Sequence, residues 1–260
     1  MPSAERWGPL WGARPADWAL SEDQQVPTYE EALRRIDLAE GQDVLDIGCG
    51  AGAFLRLVAE RGANAHGIDA SEALLALAHE RVPDADLRRG DMEALPYADG
   101  TFDLVTGFNA FFFATEIVVA LREAGRVAKP SAPVVIQVWG PHERNDLEAM
   151  KQIARPFMPP RPADAPAEPD YAEPGVLEGL ATRAGLHPQE TFDTTWAYAY
   201  DDEDELARAL IAPAGLAVLV GPDREQEFKD ALVDGLSARR AAAGGYRLQN
   251  TFHTLIARAR

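Results

Sequence analysis

The 260-residue sequence contains a single cysteine, Cys49. No disulfide can close within the chain, and cysteine offers no metal site. No run of about 18 apolar residues occurs, so no transmembrane helix and no membrane partner are expected. The start, Met1-Pro2-Ser3-Ala4-Glu5-Arg6-Trp7, lacks the basic region and apolar core of a secretory signal. The cytoplasm is the expected compartment. Basic residues are scarce: 25 Lys and Arg stand against 42 Asp and Glu, a formal net charge of −17. A surface of that sign repels phosphate backbones, and no Lys/Arg-rich run offsets it, so nucleic acid is not an expected partner.

What is present is ordinary for a globular protein, with 47% hydrophobic and 26% charged residues. The length suits one large α/β domain or two small ones. Arg greatly outnumbers Lys and Ala is abundant, which fits a GC-rich bacterial genome. Nothing in the pattern speaks to oligomeric state.

The first forty residues carry Trp7, Trp11 and Trp18, then a helix-like stretch from about Thr28 to Ala39. Thr28 with Glu31 resembles a capping box after Pro27, and Gly41 ends that helix. From Asp43 to Gly140 strand and helix alternate. Short apolar runs at Val44–Ile47, Ala65–Ile68, Leu87–Arg88, Phe102–Phe108 and Val134–Trp139 read as buried strands. Ala53–Arg61, Ser71–Arg81 and about Thr115–Val127 read as helices. Repeated β-then-α order predicts a mostly parallel sheet covered on both faces. From Pro141 to Pro174 the texture changes, prolines crowd over Arg155–Pro162, and an irregular excursion is expected. A helix over about Pro174–Ala184, a strand around Glu190–Tyr200 and a helical section to about Ala243 follow, that section broken near Pro213 and Gly221. Tyr246–Arg258 reads as a last strand.

The strongest signal is Val44-Leu45-Asp46-Ile47-Gly48-Cys49-Gly50-Ala51-Gly52, a strand running into a helix. Glycine serves where the chain turns tightly and a ligand lies against backbone; the helix that follows offers free N–H groups. Any Rossmann-type nucleotide site uses this arrangement. Three details favour an adenosyl sulfonium over a dinucleotide. The spacing is G-x-G-x-G, not G-x-G-x-x-G. Asp46 beside the loop would repel a pyrophosphate but favour an ammonium group. No Lys or Arg lies within the loop to meet phosphates. Asp69, about twenty residues on at the tip of the second strand, can accept hydrogen bonds from ribose hydroxyls, a feature shared with NAD enzymes; its plainer reading is an N-cap for the helix near Ser71. Asp91 and Met92, after the third strand, suit an adenine amino group and ring, or are simply a polar loop with one buried methionine.

Taken with Phe102-Asp103-Leu104-Val105 and Arg126-Val127-Ala128-Lys129-Pro130, these segments closely resemble class I methyltransferases that use S-adenosyl-L-methionine (SAM). The resemblance covers about residues 40–140. It implies a Rossmann-like, doubly wound α/β fold with a seven-stranded sheet, mostly parallel with an antiparallel last strand, and SAM across the carboxyl ends of the first strands. By this resemblance Asp46, Gly48, Cys49, Gly50, Asp69, Ala70, Asp91 and Met92 line the cofactor site, with Phe108 near the methionine portion. One departure is Lys129-Pro130-Ser131-Ala132-Pro133, where the family usually has a glycine pair; a different turn is expected there, without loss of binding. The whole chain is expected to be one domain: a helical segment over 1–40, a SAM-binding core over 41–140, and substrate-side insertions over 141–172 and 197–243.

The resemblance sets the donor and leaves the acceptor open. Trp139, Phe157, Trp196 and Tyr198 either roof a pocket for an apolar or aromatic metabolite or pack the insertions onto the sheet. Trp18 or Tyr29 either closes over the cofactor or belongs to the core. Methyl transfer is an in-line displacement in which positioning supplies much of the acceleration. His142, directly after the fifth strand, is the candidate general base and Asn109, after the fourth, the candidate positioning group; each competes with an ordinary loop role. His66 and His79 read as structural and surface residues, and His187 and His253 have no constellation around them. No Asn-Pro-Pro-Tyr-type segment follows the fourth strand, which, with the acidic surface, favours a small-molecule acceptor. Two other functions are weighed against methyl transfer: a SAM-binding sensor or partner subunit without turnover, and an NAD-dependent oxidoreductase.

Overall fold

The computed structural model describes residues 2–159 and 169–260. Three short helices open the chain: α1 (Ser3–Trp11), α2 (Pro15–Asp23) and α3 (Val26–Arg34). Proline sits at the start of α2 and α3, where its missing N–H leaves no hydrogen bond unmade. Thr28 is therefore inside α3, not its cap; its hydroxyl donates to the Gln25 carbonyl at 2.8 Å. The helix stops at Arg34, short of the expected Ala39.

The alternating section follows the expected order: β1 (Asp43–Ile47), α4 (Ala53–Glu60), β2 (Asn64–Asp69), α5 (Glu72–Arg81), β3 (Asp86–Arg89), β4 (Leu104–Phe108), α6 (Ile117–Val127) and β5 (Pro133–Trp139). The proline-rich excursion is more regular than expected, because α7 (Glu148–Ala154) forms before the prolines begin. The proline-dense part at 160–162 lies outside the described residues. Then come α8 (Val176–Ala184), β6 (His187–Tyr200), α9 (Glu203–Ile211), α10 (Leu216–Val220), α11 (Glu225–Gly235) and β7 (Tyr246–Arg258).

The seven strands form one sheet in the order β3-β2-β1-β4-β5-β7-β6. Pairings from β3 to β5 are parallel, and β7 runs antiparallel to both its neighbours. Valine, leucine and isoleucine runs suit strands buried on both faces. One face packs on α3 and α4 through Tyr29, Leu33, Phe54, Leu57 and Val58. The other packs on α6 and α8 through Leu121, Val127, Leu177 and Ala181.

The register of the last strands positions the site. β5 ends at Trp139, opposite Phe252, whereas β6 and β7 stay paired from Thr195↔Thr251 out to Tyr200↔Tyr246. This ribbon overhangs the carboxyl ends of the parallel strands by six residues, about 20 Å at strand rise. Helices α7, α9, α10 and α11 pack against it around Phe228, Leu232, Leu206 and Leu210. The overhang is tied back to the N-terminal helices: Ala199 N–H donates to the Gln24 side chain at 3.0 Å, and Ser21 donates to the Ala209 carbonyl at 2.9 Å.

Candidate cofactor and acceptor site

Gly48, Gly50 and Gly52 take φ values of +73°, +54° and +83°, a left-handed backbone that favours glycine. A side chain on Gly48 would lie 2.6 Å from the Ala110 methyl, so the loop also needs the bare backbone for space. Asp69 fastens the loop to β2. One of its oxygens accepts from Gly50 N–H at 3.0 Å and the other from Ser71 N–H at 2.7 Å. The cap of α5 is Ser71, which accepts from Leu74 N–H at 3.2 Å, so the N-cap alternative for Asp69 does not describe this helix. Asp46 is buried and accepts from the Thr106 hydroxyl at 2.7 Å.

The N-terminal helices lie across this loop. Glu22 on α2 turns one carboxylate oxygen onto the loop N–H of Ala51 (2.7 Å) and the other onto Ala53 N–H (2.9 Å), the first residue of α4. A carboxylate is well placed at a helix N-terminus. Helix α1 starts on Asp91, whose oxygens accept from the Ser3 hydroxyl and the Ala4 N–H at 2.9 Å each, with Glu93 N–H at 2.8 Å. Further along α1, Gly8 presses on the Ala70 carbonyl so closely that a Cβ there would lie 2.4 Å from it.

Together these elements enclose a cavity of about 280 Å³, near the lower end of the roughly 300–1,000 Å³ typical of ligand sites. Asp46, Gly48, Cys49, Gly50, Asp69, Ala70, Met92 and Phe108 all contribute to its wall. Asp91 does not: it sits between the lining residues Gly90 and Met92, with its carboxylate spent on α1. A carboxylate has about four acceptor positions; three are used, which leaves one on the oxygen that takes Ala4 N–H. Trp18 and Tyr29 also line the cavity, and Tyr29 packs on Phe108 with ring centroids 4.5 Å apart.

Charge separates the two ends. Around the loop stand Glu22, Asp46 and Asp69. Burial pushes Glu22 up to about 7 and raises Asp46 and Asp69 from the usual carboxylate range, Asp46 being raised further by Glu22 and Asp69. Among the described lining residues the one Lys or Arg is Lys151, at the other end, paired with Glu148 at 2.7 Å. The wall near Lys151 also includes Trp139, Asn145, Leu147, Met150, Leu210 and Tyr198. Three polar atoms of the wall are buried without a hydrogen-bond partner: Trp18 Nε1, Asn109 Oδ1 and the Tyr198 hydroxyl. Asn109 holds φ +53° at the end of β4, and its amide donates to Gln25 at 2.9 Å. Strain of this kind in a non-glycine residue gathers at functional sites.

Other sequence expectations fall elsewhere. His142 does not line the cavity; its side chain is 57% exposed and its Nδ1 lies 2.9 Å from Glu148. Phe157 packs on Phe228, with centroids 4.9 Å apart, and Trp196 is 45% exposed, so neither roofs the pocket. Cys49 is buried, and burial raises its thiol well above the usual range, which suits packing and not nucleophilic attack. Sequence reasoning missed Glu22, Gln25 and Ser3. Ser21-Glu22-Asp23 reads as a solvated helix turn, and only the docking of α2 on the loop reveals otherwise. Among the described residues no group of three His, Cys, Asp or Glu is placed to hold a metal, and no helix is long and apolar enough to cross a membrane.

Comparison with known proteins agrees with this geometry. Residues 45–136 match the family model described as a methyltransferase domain. A malonyl-[acyl-carrier protein] O-methyltransferase of Dechloromonas aromatica is 30% identical over 223 residues, covering 78% of this chain and 79% of that protein. The chain belongs to the class I SAM-dependent methyltransferases. A demethylmenaquinone methyltransferase of Halalkalibacterium halodurans is 36% identical over 114 residues, 41% of this chain and 46% of its own length. The chain spans about half the length of the first curated relatives it matches. Among solved structures, the YcgJ protein of Bacillus subtilis shares the fold at TM-score 0.60 and 18% identity, covering 89% of this chain and 97% of its own.

Proposed function

We propose that this methyltransferase transfers the SAM methyl group to a small, largely apolar acceptor in the cytoplasm of a bacterium. The observation that carries the reading is a single cavity with an acid-lined glycine loop at one end and Trp139, Leu147, Met150 and Leu210 at the other. The residues fit the cofactor. Buried carboxylates with no cationic side chain among them suit a ligand carrying sulfonium and ammonium charges, and Trp18 Nε1 is an unused donor beside them. Asp46, Gly48, Cys49, Gly50, Asp69, Ala70, Met92 and Phe108 would hold it, with Asp91 offering its one remaining acceptor position to an adenine amino group. When bound, SAM supplies an electrophilic methyl group.

The chain's own part is to orient the acceptor and exclude water. Asn109 Oδ1 and the Tyr198 hydroxyl are the buried polar atoms left to meet an acceptor's heteroatom. His142, which does not line the cavity although its partner Glu148 does, is not the base in this reading. Residues 41–140 serve as the cofactor core, 1–40 as a helical roof, and parts of 141–172 and 197–243 as the acceptor wall. The −17 charge supports a small molecule over nucleic acid as partner, and one buried free cysteine suits a reducing compartment. An NAD-binding alternative meets a specific obstacle. The α4 N-terminus, where a pyrophosphate would sit, is taken by the Glu22 carboxylate.

Calorimetry with SAM and S-adenosylhomocysteine (SAH) tests the foundation, and radiolabelled methyl transfer to a panel of phenols, quinols and carboxylic acids tests turnover. Failure of both ligands to bind below about millimolar would refute the reading. Binding without transfer to any acceptor would favour the sensor function. On an acceptor found this way, Tyr198→Phe is expected to raise KM several-fold with thermal stability unchanged, since the hydroxyl has no partner in the free protein. An unchanged KM removes Tyr198 from the acceptor site.

A further inference from the structure

We propose that Glu22 is the residue by which the site distinguishes the sulfonium donor from its thioether product. The inference rests on the methyltransferase reading. Glu22 is 4% exposed, belongs to the cavity wall, and is fixed by two backbone N–H groups of the loop that cradles the cofactor. SAM and SAH differ in one methyl group and one positive charge, so shape barely separates them. Charge does, and a site of buried carboxylates favours the cation.

Three carboxylates share this end, and they differ in what anchors their charge. Asp69 accepts two backbone N–H groups within the sheet scaffold. Asp46 accepts one hydroxyl in the sheet interior. Glu22 sits on the roof helix, between the loop and the cavity. The groups facing it are Arg81 from α5, Asp23 from its own helix, Asp46 from β1, Cys49 from the glycine loop and Tyr29 from α3. Arg81 is itself paired with Asp23 at 3.0 Å, so it supplies little uncompensated charge. Burial raises the carboxyl to about 7, and the Ala53 and Ala51 N–H groups at the start of α4 are the main stabilisation of an ionised Glu22 in the free protein. An added sulfonium charge in the cavity ionises Glu22, and its proton leaves to the buffer. The neutral thioether supplies no such charge, so the product leaves the ionisation of Glu22 near neutrality as it is in the free protein.

Two consequences separate this from simple packing. SAM binding releases protons near pH 7 and SAH binding does not. The SAM-to-SAH affinity ratio also rises with pH, about tenfold from pH 6 to pH 8. Calorimetry on the full chain, in buffers of different ionisation enthalpy, measures both. The two ligands share an amino-acid moiety, and the same titrations on Glu22→Gln remove its contribution. The variant is expected to lose the proton release and flatten the ratio. Glu22→Asp, checked for folding by circular dichroism, is expected to retain a proton-linked ratio with a displaced midpoint. Wild-type protein that binds SAM with a pH-independent ratio overturns the role of Glu22 while leaving the methyltransferase reading standing. An unchanged linkage in Glu22→Gln also overturns it, because another carboxylate then carries the proton. Absence of binding by either ligand overturns the methyltransferase reading itself. Should Glu22→Gln fail to fold, the wild-type proton count and Glu22→Asp still decide.

Discussion

Asp69 has two duties that one substitution separates. In the free protein its carboxylate joins the glycine loop to the tip of β2 through Gly50 N–H and Ser71 N–H. Asp69→Ala removes both bonds and leaves Gly50 N–H without its acceptor. Each hydrogen bond to a charged group contributes roughly 1.5–3 kcal/mol. Burial raises the Asp69 carboxyl, so part of that gain is already offset by desolvation. A net loss of about 3 kcal/mol is expected, which for a chain of this size lowers Tm by roughly 6–12 °C. The second duty, which rests on the proposed function, is to accept hydrogen bonds from the ribose. Loss of its hydroxyl acceptors should weaken SAM binding by roughly 2–4 kcal/mol. Differential scanning calorimetry reads the first effect, and titration of the folded variant well below its Tm reads the second. A Tm within about 2 °C of wild type refutes the loop-fastening argument. Unchanged SAM affinity in folded protein refutes the ribose assignment, whatever happens to Tm.

Three further outcomes follow from particular contacts. Because burial holds Glu22 near 7 in the folded chain against an ordinary value of 4.5, the folded state binds the extra proton between those values. Its stabilisation is full below 4.5 and lost as pH rises through 7, by up to roughly 3 kcal/mol. Urea midpoints for the free protein should fall from pH 5 to pH 7.5 more steeply than in Glu22→Gln, and equal slopes would refute the raised carboxyl. Gly8→Ala drives a methyl group onto the Ala70 carbonyl; α1 should lift, protease cleavage within residues 2–23 should accelerate, and SAM affinity should fall about tenfold, roughly 1.4 kcal/mol. Cleavage and affinity at wild-type levels would show that α1 does not need that close approach. Ser131 holds φ +63° in the turn before β5, so Ser131→Gly should stabilise the protein by about 0.5–1 kcal/mol without altering SAM binding. A lowered denaturation midpoint refutes the strain.

Much of the core was legible because its strands are buried on both faces and read as continuous apolar runs between glycine-marked turns. Val44-Leu45-Asp46-Ile47 and Val134-Val135-Ile136-Gln137-Val138 needed no tertiary knowledge to place. β7 was found at its observed bounds, its ends marked by Gly244-Gly245 before Tyr246 and by polar Arg258 at its close. The misses share a physical cause. α7 is a seven-residue helix whose face is settled by contacts with α11, and the prolines after it mask its signal. α1 carries Pro9 internally, which argues locally against the helix that its docking on Asp91 and Ala70 secures. His142 was correctly placed after β5, but chain position does not give side-chain direction, and its ring is 57% exposed and lies off the cavity wall.

The residues missed at the site are those whose role depends on α1 and α2 lying over the loop, and this changes how the cofactor site should be understood. The cradle that sequence reveals is half of it: Asp46, the glycines and Asp69 form a floor with acceptors to spare. The roof meets that floor through charge at both ends. The start of α1 donates Ser3 Oγ–H and Ala4 N–H to Asp91, while α2 gives the Glu22 carboxylate to Ala51 and Ala53. On the proposed reading, both contacts use groups that a bound cofactor would also sense, one through the last open acceptor position of Asp91 and one through the field of Glu22. Roof docking and cofactor binding therefore share partners, and by linkage each must alter the other. On that reading, a ligand that strengthens the ionised form of Glu22 would strengthen its hold on Ala51 and Ala53, and so favour the closed roof. A neutral product does not, and the roof opens more readily over it.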